Sequence, residues 1–215
     1  MQKRLYFLRH GETDWNLDGK MQGQQDIPLN STGREQAYSA GQILQYQPIK
    51  RIVSSALSRA YETANIINSF LNVPITQTTD LNELSAGICE GKSLRFISMQ
   101  YAPLINDMLD KTNPDRFSLS LPNGESWREA EKRVLSCIQN IALAHPEHHI
   151  LFVSHYGIIQ NLLVTQLGTD FETNNCACVS FLYDTQTRQF SQYELVYAGC
   201  ENFENNRAND KPVLF

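Results

Sequence analysis

Three short apolar runs that each end in a polar cluster constrain the fold of this chain more than any other feature. Leu5–Leu8 runs into Arg9-His10-Gly11, Arg51–Ser54 into Ser55 and then Arg59, and Ile150–Val153 into Ser154-His155. Each run has the length of a buried strand, and each leads into residues at helical spacing. Behind the first, Thr32-Gly-Arg-Glu35 fits a capping box, with Ala37, Ala40, Gly41 and Leu44 on one face. Behind the second, Leu57, Ala60, Tyr61, Ala64, Ile67 and Leu71 mark a helix that stops before Pro74. Behind the third, Ile158–Leu167 reads as a helix. A second capping box, Ser126-Trp-Arg-Glu129, opens a helix with Trp127, Ala130, Val134, Ile138 and Ile141 facing the core. Leu94–Met108 predicts a helix bent by Pro103, and Phe181–Tyr183 and Tyr193–Val196 predict late, partly exposed strands. Strands alternating with helices indicate an α/β fold, a three-layer α/β/α sandwich around a mostly parallel sheet. Ligands in such sheets bind beyond the carboxyl ends of the strands, and the three polar clusters stand there.

With 215 residues, the chain suits one domain over residues 1–200, followed by a polar tail at 201–215. A net charge of −5 argues against nucleic acid or an anionic membrane as the main partner. No apolar run of about 18 residues occurs, and the start lacks the apolar stretch of a signal peptide. Five cysteines (89, 137, 176, 178 and 200), an odd number, fit a reducing compartment, and the cytoplasm is the expected location. Cys176 and Cys178 have no second pair at a zinc-site spacing and are read as thiols in a strand. No metal or cofactor is expected. Oligomeric state is not specified.

Arg9-His10-Gly11-Glu12 carries the chemistry. Adjacent positive charge disfavours an imidazolium, leaving a neutral ring whose free nitrogen can attack phosphorus. The arginine fork holds phosphoryl oxygens, and Gly11 lets the backbone approach and fix the ring's tautomer. Glu12 is read as orienting its neighbours.

These residues lie within a longer resemblance. Leu8-Arg9-His10-Gly11-Glu12-Thr13 with Trp15-Asn16, then Gly33-Arg-Glu-Gln-Ala37, Ser54-Ser55-Ala-Leu57-Ser-Arg59-Ala60, Leu81-Asn-Glu83, Glu90-Gly91, Pro122-Asn-Gly124-Glu125-Ser126 and Val153-Ser154-His155 follow one another in order. The chain resembles the histidine phosphatase superfamily, in its phosphoglycerate mutase-like branch, from about residue 4 to about residue 160. The resemblance implies that His10 accepts a phosphoryl group and that Arg9, Arg59 and His155 clamp it, with Asn16 as a further donor. It implies Glu83 as proton donor, with Glu90 structural, and it puts Gln22 and Gly23 in the substrate loop. Tyr156 stands where many relatives have glycine and is expected to reshape the pocket.

A mutase must also hold a doubly phosphorylated intermediate, which demands extra basic residues. Here Glu83 is followed by Leu84-Ser85-Ala86, and no Arg-Arg pair occurs in the chain. Hydrolysis of a small phosphorylated metabolite is therefore the expected activity. A cofactor-dependent phosphoglycerate mutase and a non-catalytic phosphate-binding protein on the same fold are the alternatives. The expected rim comprises Gln22, Leu84, Ser85, Tyr156 and parts of 106–121.

Overall fold

A computed structural model describes residues 2–169 and 172–199; the expected tail at 201–215, and Cys200, lie outside them. Six strands form one sheet: β1 (Gln2–Arg9), β2 (Ile49–Ser55), β3 (Ile75–Thr78), β4 (His149–Ser154), β5 (Cys178–Asp184) and β6 (Gln189–Tyr197). Their order is β3-β2-β4-β1-β5-β6. The first four in that order run parallel, and β5 and β6 are added antiparallel. The helices are α1 (Asp14–Leu17), α2 (Ser31–Leu44), α3 (Ser58–Leu71), α4 (Leu94–Gln100), α5 (Ala102–Leu109), α6 (Trp127–Ala144) and α7 (Tyr156–Leu167).

Side chains alternate across a strand, so β1 supplies both halves of the core. Leu5 and Phe7 pack with Phe152, Phe181 and the inner faces of α6 and α7. Tyr6 and Leu8 pack with Ile52, Val153 and the inner faces of α2 and α3. The expected three layers result. Because β1 and β4 are covered on both faces, they read as continuous apolar runs. A smaller cluster of Ala86, Cys89, Ile97, Ile105 and Leu121 supports the segment between β3 and α6.

Several local expectations are corrected. The cap of α2 is Asn30, whose side chain accepts from the Gly33 N–H, so Thr32 lies inside the helix. The capping box of Ser126 and Glu129 is formed as expected. The 94–108 stretch is two helices, divided at Tyr101, with Pro103 in the first turn of the second, where its missing N–H costs nothing. Trp127 starts α6 half-buried, stacked on Phe117 at 5.7 Å, and belongs to none of the buried core clusters. β5 is mostly buried, whereas β6 is exposed as expected. Cys178 opens β5, but Cys176 lies in the turn before it, at φ 60°. Cys89, Cys137 and Cys178 are buried free thiols. Among the described residues no helix is long and apolar enough to cross a membrane.

Candidate active site

The parallel strands β1, β2 and β4 end together, and their ends bring His10, Ser55 and His155 to one place. β1 and β4 are in register through the pair Arg9 and Ser154, so the residues that follow, His10 and His155, emerge side by side. Their rings lie 5.1 Å apart, centre to centre. Both histidines are buried, His10 at 3% exposure and His155 at 0%.

The ring and the N–H of His10 are fixed by backbone, and the Asn175 side chain donates to its carbonyl. The His10 N–H donates to the Ser154 carbonyl, and its Nδ1 lies 2.6 Å from the Gly11 carbonyl oxygen. A carbonyl only accepts, so Nδ1 carries the proton and Nε2 keeps its lone pair. Burial, then the charges of Arg59 and Arg9, push the ring well below the ordinary imidazole range, against the Gly11 carbonyl. His10 is neutral at pH 7. Gly11 cannot be larger: a Cβ there would meet the Gly33 carbonyl oxygen at 2.3 Å. The start of α2 thus packs on the bare backbone of the Arg-His-Gly turn. Glu12 plays the expected supporting part, accepting from Asn30 through its side chain while its N–H donates to Gln36.

Arg59 is fully buried in the first turn of α3, and neutral groups hold it. Its two terminal nitrogens donate to the carbonyls of Gln25 and Gly23, at 2.7 and 2.8 Å. Burial lowers it to about 10, which leaves it protonated at neutral pH. Arg9 donates to the Thr173 carbonyl at 2.7 Å and lies over the Tyr156 ring at 5.2 Å. Both guanidiniums keep a buried Nε–H that no protein acceptor takes.

Glu83 follows a 3-10 turn, Thr79–Leu81, beyond β3. Its carboxyl accepts from the N–H groups of Leu84 (3.0 Å) and Gly157 (3.1 Å), which ties it to the first turn of α7, next to His155. Burial pushes it above the ordinary carboxyl range, although both N–H groups and both arginines oppose the shift. Glu90 is structural as expected: it accepts from Ala86, Gln24 and Gln25 and packs against Gly23.

Of the remaining candidates, Asn16 closes a capping box with Thr13 through its Oδ1. Gln22 is buried, and its Oε1 has no partner. Gly23 contributes its carbonyl to Arg59. Tyr156 lies against Arg9. Four residues support these groups; the sequence put Ser55 in the second polar cluster but gave none of the four a role. Ser55 reaches Nε2 of His155 at 2.8 Å, and Asn82 takes the Ser55 hydroxyl at 2.8 Å. Thr63 accepts from the Gly11 N–H. Arg133 grips Glu125 with two nitrogens and donates to the Glu83 carbonyl. Contacts of this kind cross large sequence separations and leave no local pattern. A cavity of about 350 Å³ is lined by Gln24, Ser85, Asn123, Gly124, Glu125 and Glu129, none of them among the five candidate catalytic residues. Of the expected rim, only Ser85 lines it.

Residues 5–195 match the family model described as histidine phosphatase superfamily (branch 1). The chain belongs to the histidine phosphatase superfamily. Among relatives, it is 36% identical over 173 residues to "Uncharacterized phosphatase PhoE" of Bacillus subtilis (strain 168), covering 80% of this chain and 82% of that one. It is 34% identical to "Probable phosphoglycerate mutase GpmB" of Proteus mirabilis (strain HI4320), over 77% and 75% of the two chains. Among solved structures, Bacillus stearothermophilus YhfR superposes with a TM-score of 0.77 at 28% identity, over 88% of this chain and 94% of that one. A mycobacterial glucosyl-3-phosphoglycerate phosphatase shares the fold, with a TM-score of 0.78 at 24% identity, over 91% and 98%. The protein shares the fold of these solved structures, and its own paired histidines stand at the strand ends of that fold.

Proposed function

We propose that this histidine phosphatase hydrolyses a small phosphorylated metabolite in two steps through a phosphohistidine on His10, without a metal. The observation that carries the reading is the commitment of His10 Nδ1 to the Gly11 carbonyl, which leaves a neutral Nε2 lone pair among buried cations. In the first step Nε2 attacks phosphorus and the ester P–O bond breaks, while Glu83, whose protonated form burial favours, gives its proton to the leaving alkoxide. In the second, Glu83 takes a proton from water as the water oxygen attacks phosphorus, and phosphate leaves His10 with its lone pair. Arg9, Arg59 and His155 spread positive charge over the equatorial oxygens, where phosphoryl transfer needs it. Asn16 and Gln22 supply further polar contacts, Gly23 acts through Arg59, and Tyr156 acts through Arg9.

The shortage of basic residues favours hydrolysis over a mutase: Glu83 is followed by Leu84-Ser85-Ala86, and no Arg-Arg pair occurs in the chain. PhoE bears the name of a phosphatase and GpmB that of a probable mutase, so the printed names alone do not decide between them. Metal independence is favoured by where metal-ligating side chains lie. Among the described residues the group that converges is His145, Glu147 and His148, which precedes β4 and lies at the opposite end of the sheet. Buried thiols outside disulfides fit a reducing compartment such as the cytoplasm.

Turnover of p-nitrophenyl phosphate and of a panel of phosphorylated metabolites, in excess chelator, tests the proposal. Phosphate release by the parent, its loss in His10→Ala with the fold retained, and a phosphohistidine trapped by rapid quench are expected. Reversible loss of activity with chelator, restored by metal, would replace the mechanism. Isomerisation of 3-phosphoglycerate outpacing phosphate release would make the protein a mutase.

A further inference from the structure

The tautomer of His155 follows from the hydrogen bonds behind it. The Ala56 N–H points at Asn82 Oδ1 at 3.1 Å, which identifies that atom as the oxygen of the amide. Ser55 Oγ lies 2.8 Å from the same oxygen, so its single hydroxyl proton must go there; the alternative sets two oxygens lone pair to lone pair. One lone pair of Ser55 Oγ is taken by the Leu57 N–H at 3.2 Å. The other faces Nε2 of His155 at 2.8 Å, and with no proton left on Ser55, Nε2 must be the donor. In the neutral ring Nδ1 is then a bare lone pair. It is buried, and no protein donor meets it.

We infer that Asn82, acting through Ser55, is a positioning residue that locks His155 with a lone pair toward the phosphoryl site, so that the site takes up one proton at His155 Nδ1 whenever it binds a tetrahedral dianion. A bare lone pair repels an anionic oxygen, whereas an N–H⁺ donates to it. The inference rests on the phosphoryl-binding role proposed above and adds a proton to it. The proton arrives with the substrate, stays while charge builds on the equatorial oxygens, and leaves with the product phosphate. The groups facing His155 are Arg59 on α3, His10 and Arg9 after β1, Arg133 on α6, and Glu83 by way of Gly157. The arginines keep the free ring neutral, as burial does. An incoming dianion offsets them.

Sulfate is the probe, because it has no proton of its own to exchange between pH 6 and 9. Binding is measured by calorimetry in the His10→Ala protein, which removes the other imidazole, in buffers of differing ionisation enthalpy. Uptake of close to one proton is expected, with a dissociation constant that rises about tenfold per pH unit above neutrality. In His10→Ala/Asn82→Ala the freed Ser55 hydroxyl donates to Nε2, so Nδ1 carries the hydrogen in the neutral ring. There the same pH range should change affinity less than twofold per unit. Any contribution from Glu83 persists in both proteins and cancels in the comparison. Nitrogen-15 spectra of the parent, free of ligand, give a second reading, which does not depend on the variant's folding: protonated Nε2 and bare Nδ1 at His155. A neutral His155 protonated at Nδ1, or sulfate affinity independent of pH in His10→Ala, would overturn the inference while leaving the phosphatase reading intact. Absence of any sulfate binding together with absence of turnover would remove that reading instead.

Discussion

Replacing Glu83 by glutamine keeps the volume of the side chain and removes its proton. The carboxyl accepts two backbone N–H groups, from Leu84 and from Gly157. A glutamine has one acceptor oxygen, so one of the two N–H groups must face an NH₂. Leaving one part-buried donor unsatisfied costs about 1–3 kcal/mol of stability, which urea denaturation measures directly. The effect on the reaction is separate. Loss of a general acid removes about 10²–10⁴ in rate, equivalent to about 3–5 kcal/mol of transition-state stabilisation. That loss applies in full to an alkyl phosphate, whose alkoxide leaves poorly. It should shrink to less than about tenfold for p-nitrophenyl phosphate, whose leaving group needs little protonation.

The measurement is kcat/KM for both substrates in parent and Glu83→Gln, because kcat/KM excludes the later hydrolysis of the phosphohistidine. The pH profile gives a second reading. Activity should rise on the acid side as the depressed His10 loses its proton and fall on the alkaline side as the raised Glu83 loses its own. In the variant the part of the alkaline limb that Glu83 imposes should vanish, leaving only the decline set by proton uptake at His155. Equal losses on both substrates, or an alkaline limb unchanged in the variant, would show that the proton comes from elsewhere.

A methyl group at position 11 would meet the Gly33 carbonyl oxygen at 2.3 Å and its Cα at 2.9 Å, backbone against backbone. Gly11→Ala should therefore lose about 1–3 kcal/mol or more in urea denaturation and most of its activity, since the Gly11 carbonyl sets the His10 tautomer; unchanged stability would refute the packing argument. Acid should destabilise the fold early. His10 and His155 both have folded-state pKa values below the unfolded value of about 6.5. Their contribution is present above that value and is lost as pH falls through it, with a slope of up to about 2.7 kcal/mol per pH unit for two protons. Glu83, raised on folding, has the opposite sign and offsets part of this at lower pH. Urea denaturation at pH 7.5, 6.5 and 5.5 checks it, and a flat response would mean that the histidines titrate normally.

How much the sequence revealed follows from where each residue packs. β1, β2 and β4 were legible because two covered faces force near-continuous apolar runs. β3, Ile-Thr-Gln-Thr, was not, because as an edge strand it is partly or fully exposed along its length and carries no pattern. The cap of α2 was misplaced because Thr32 and Glu35 mimic a capping box, whereas Asn30 fills the same role two residues earlier. The proposed clamp was drawn from Arg9, His10, Arg59, Glu83 and His155, since each stands in a local motif. Ser55 stands 100 positions from His155, Thr63 52 from Gly11, Arg133 50 from Glu83, and Asn82 27 from the Ser55 through which it acts. Nothing local betrays such contacts.

The two arginines of the proposed clamp illustrate how neutral supports would serve an anion site. A carboxylate beside Arg59 would fix its direction, but it would also cancel the charge that a phosphoryl group must feel. The Gly23 and Gln25 carbonyls fix the same guanidinium with dipoles alone, and the Thr173 carbonyl with the Tyr156 ring does this for Arg9. Burying cations with carbonyls as their direct partners, and carboxylates acting only from a distance, is costly to the fold. That cost is recovered when a dianion binds, because the buried Nε–H groups and the field of both arginines then meet a charge of the opposite sign. The site is therefore destabilising by itself and complementary to the charge of the transferring group, which is the condition for electrostatic preorganisation rather than for mere binding. On this argument Arg59→Met, which keeps much of the side chain's length and loses its charge, should cost the free protein no more than about 1–3 kcal/mol, for the Gly23 and Gln25 carbonyls left without a donor, while activity falls steeply. A loss of stability equal to that caused by breaking a buried ion pair would show that Arg59 holds the fold instead of holding charge in readiness.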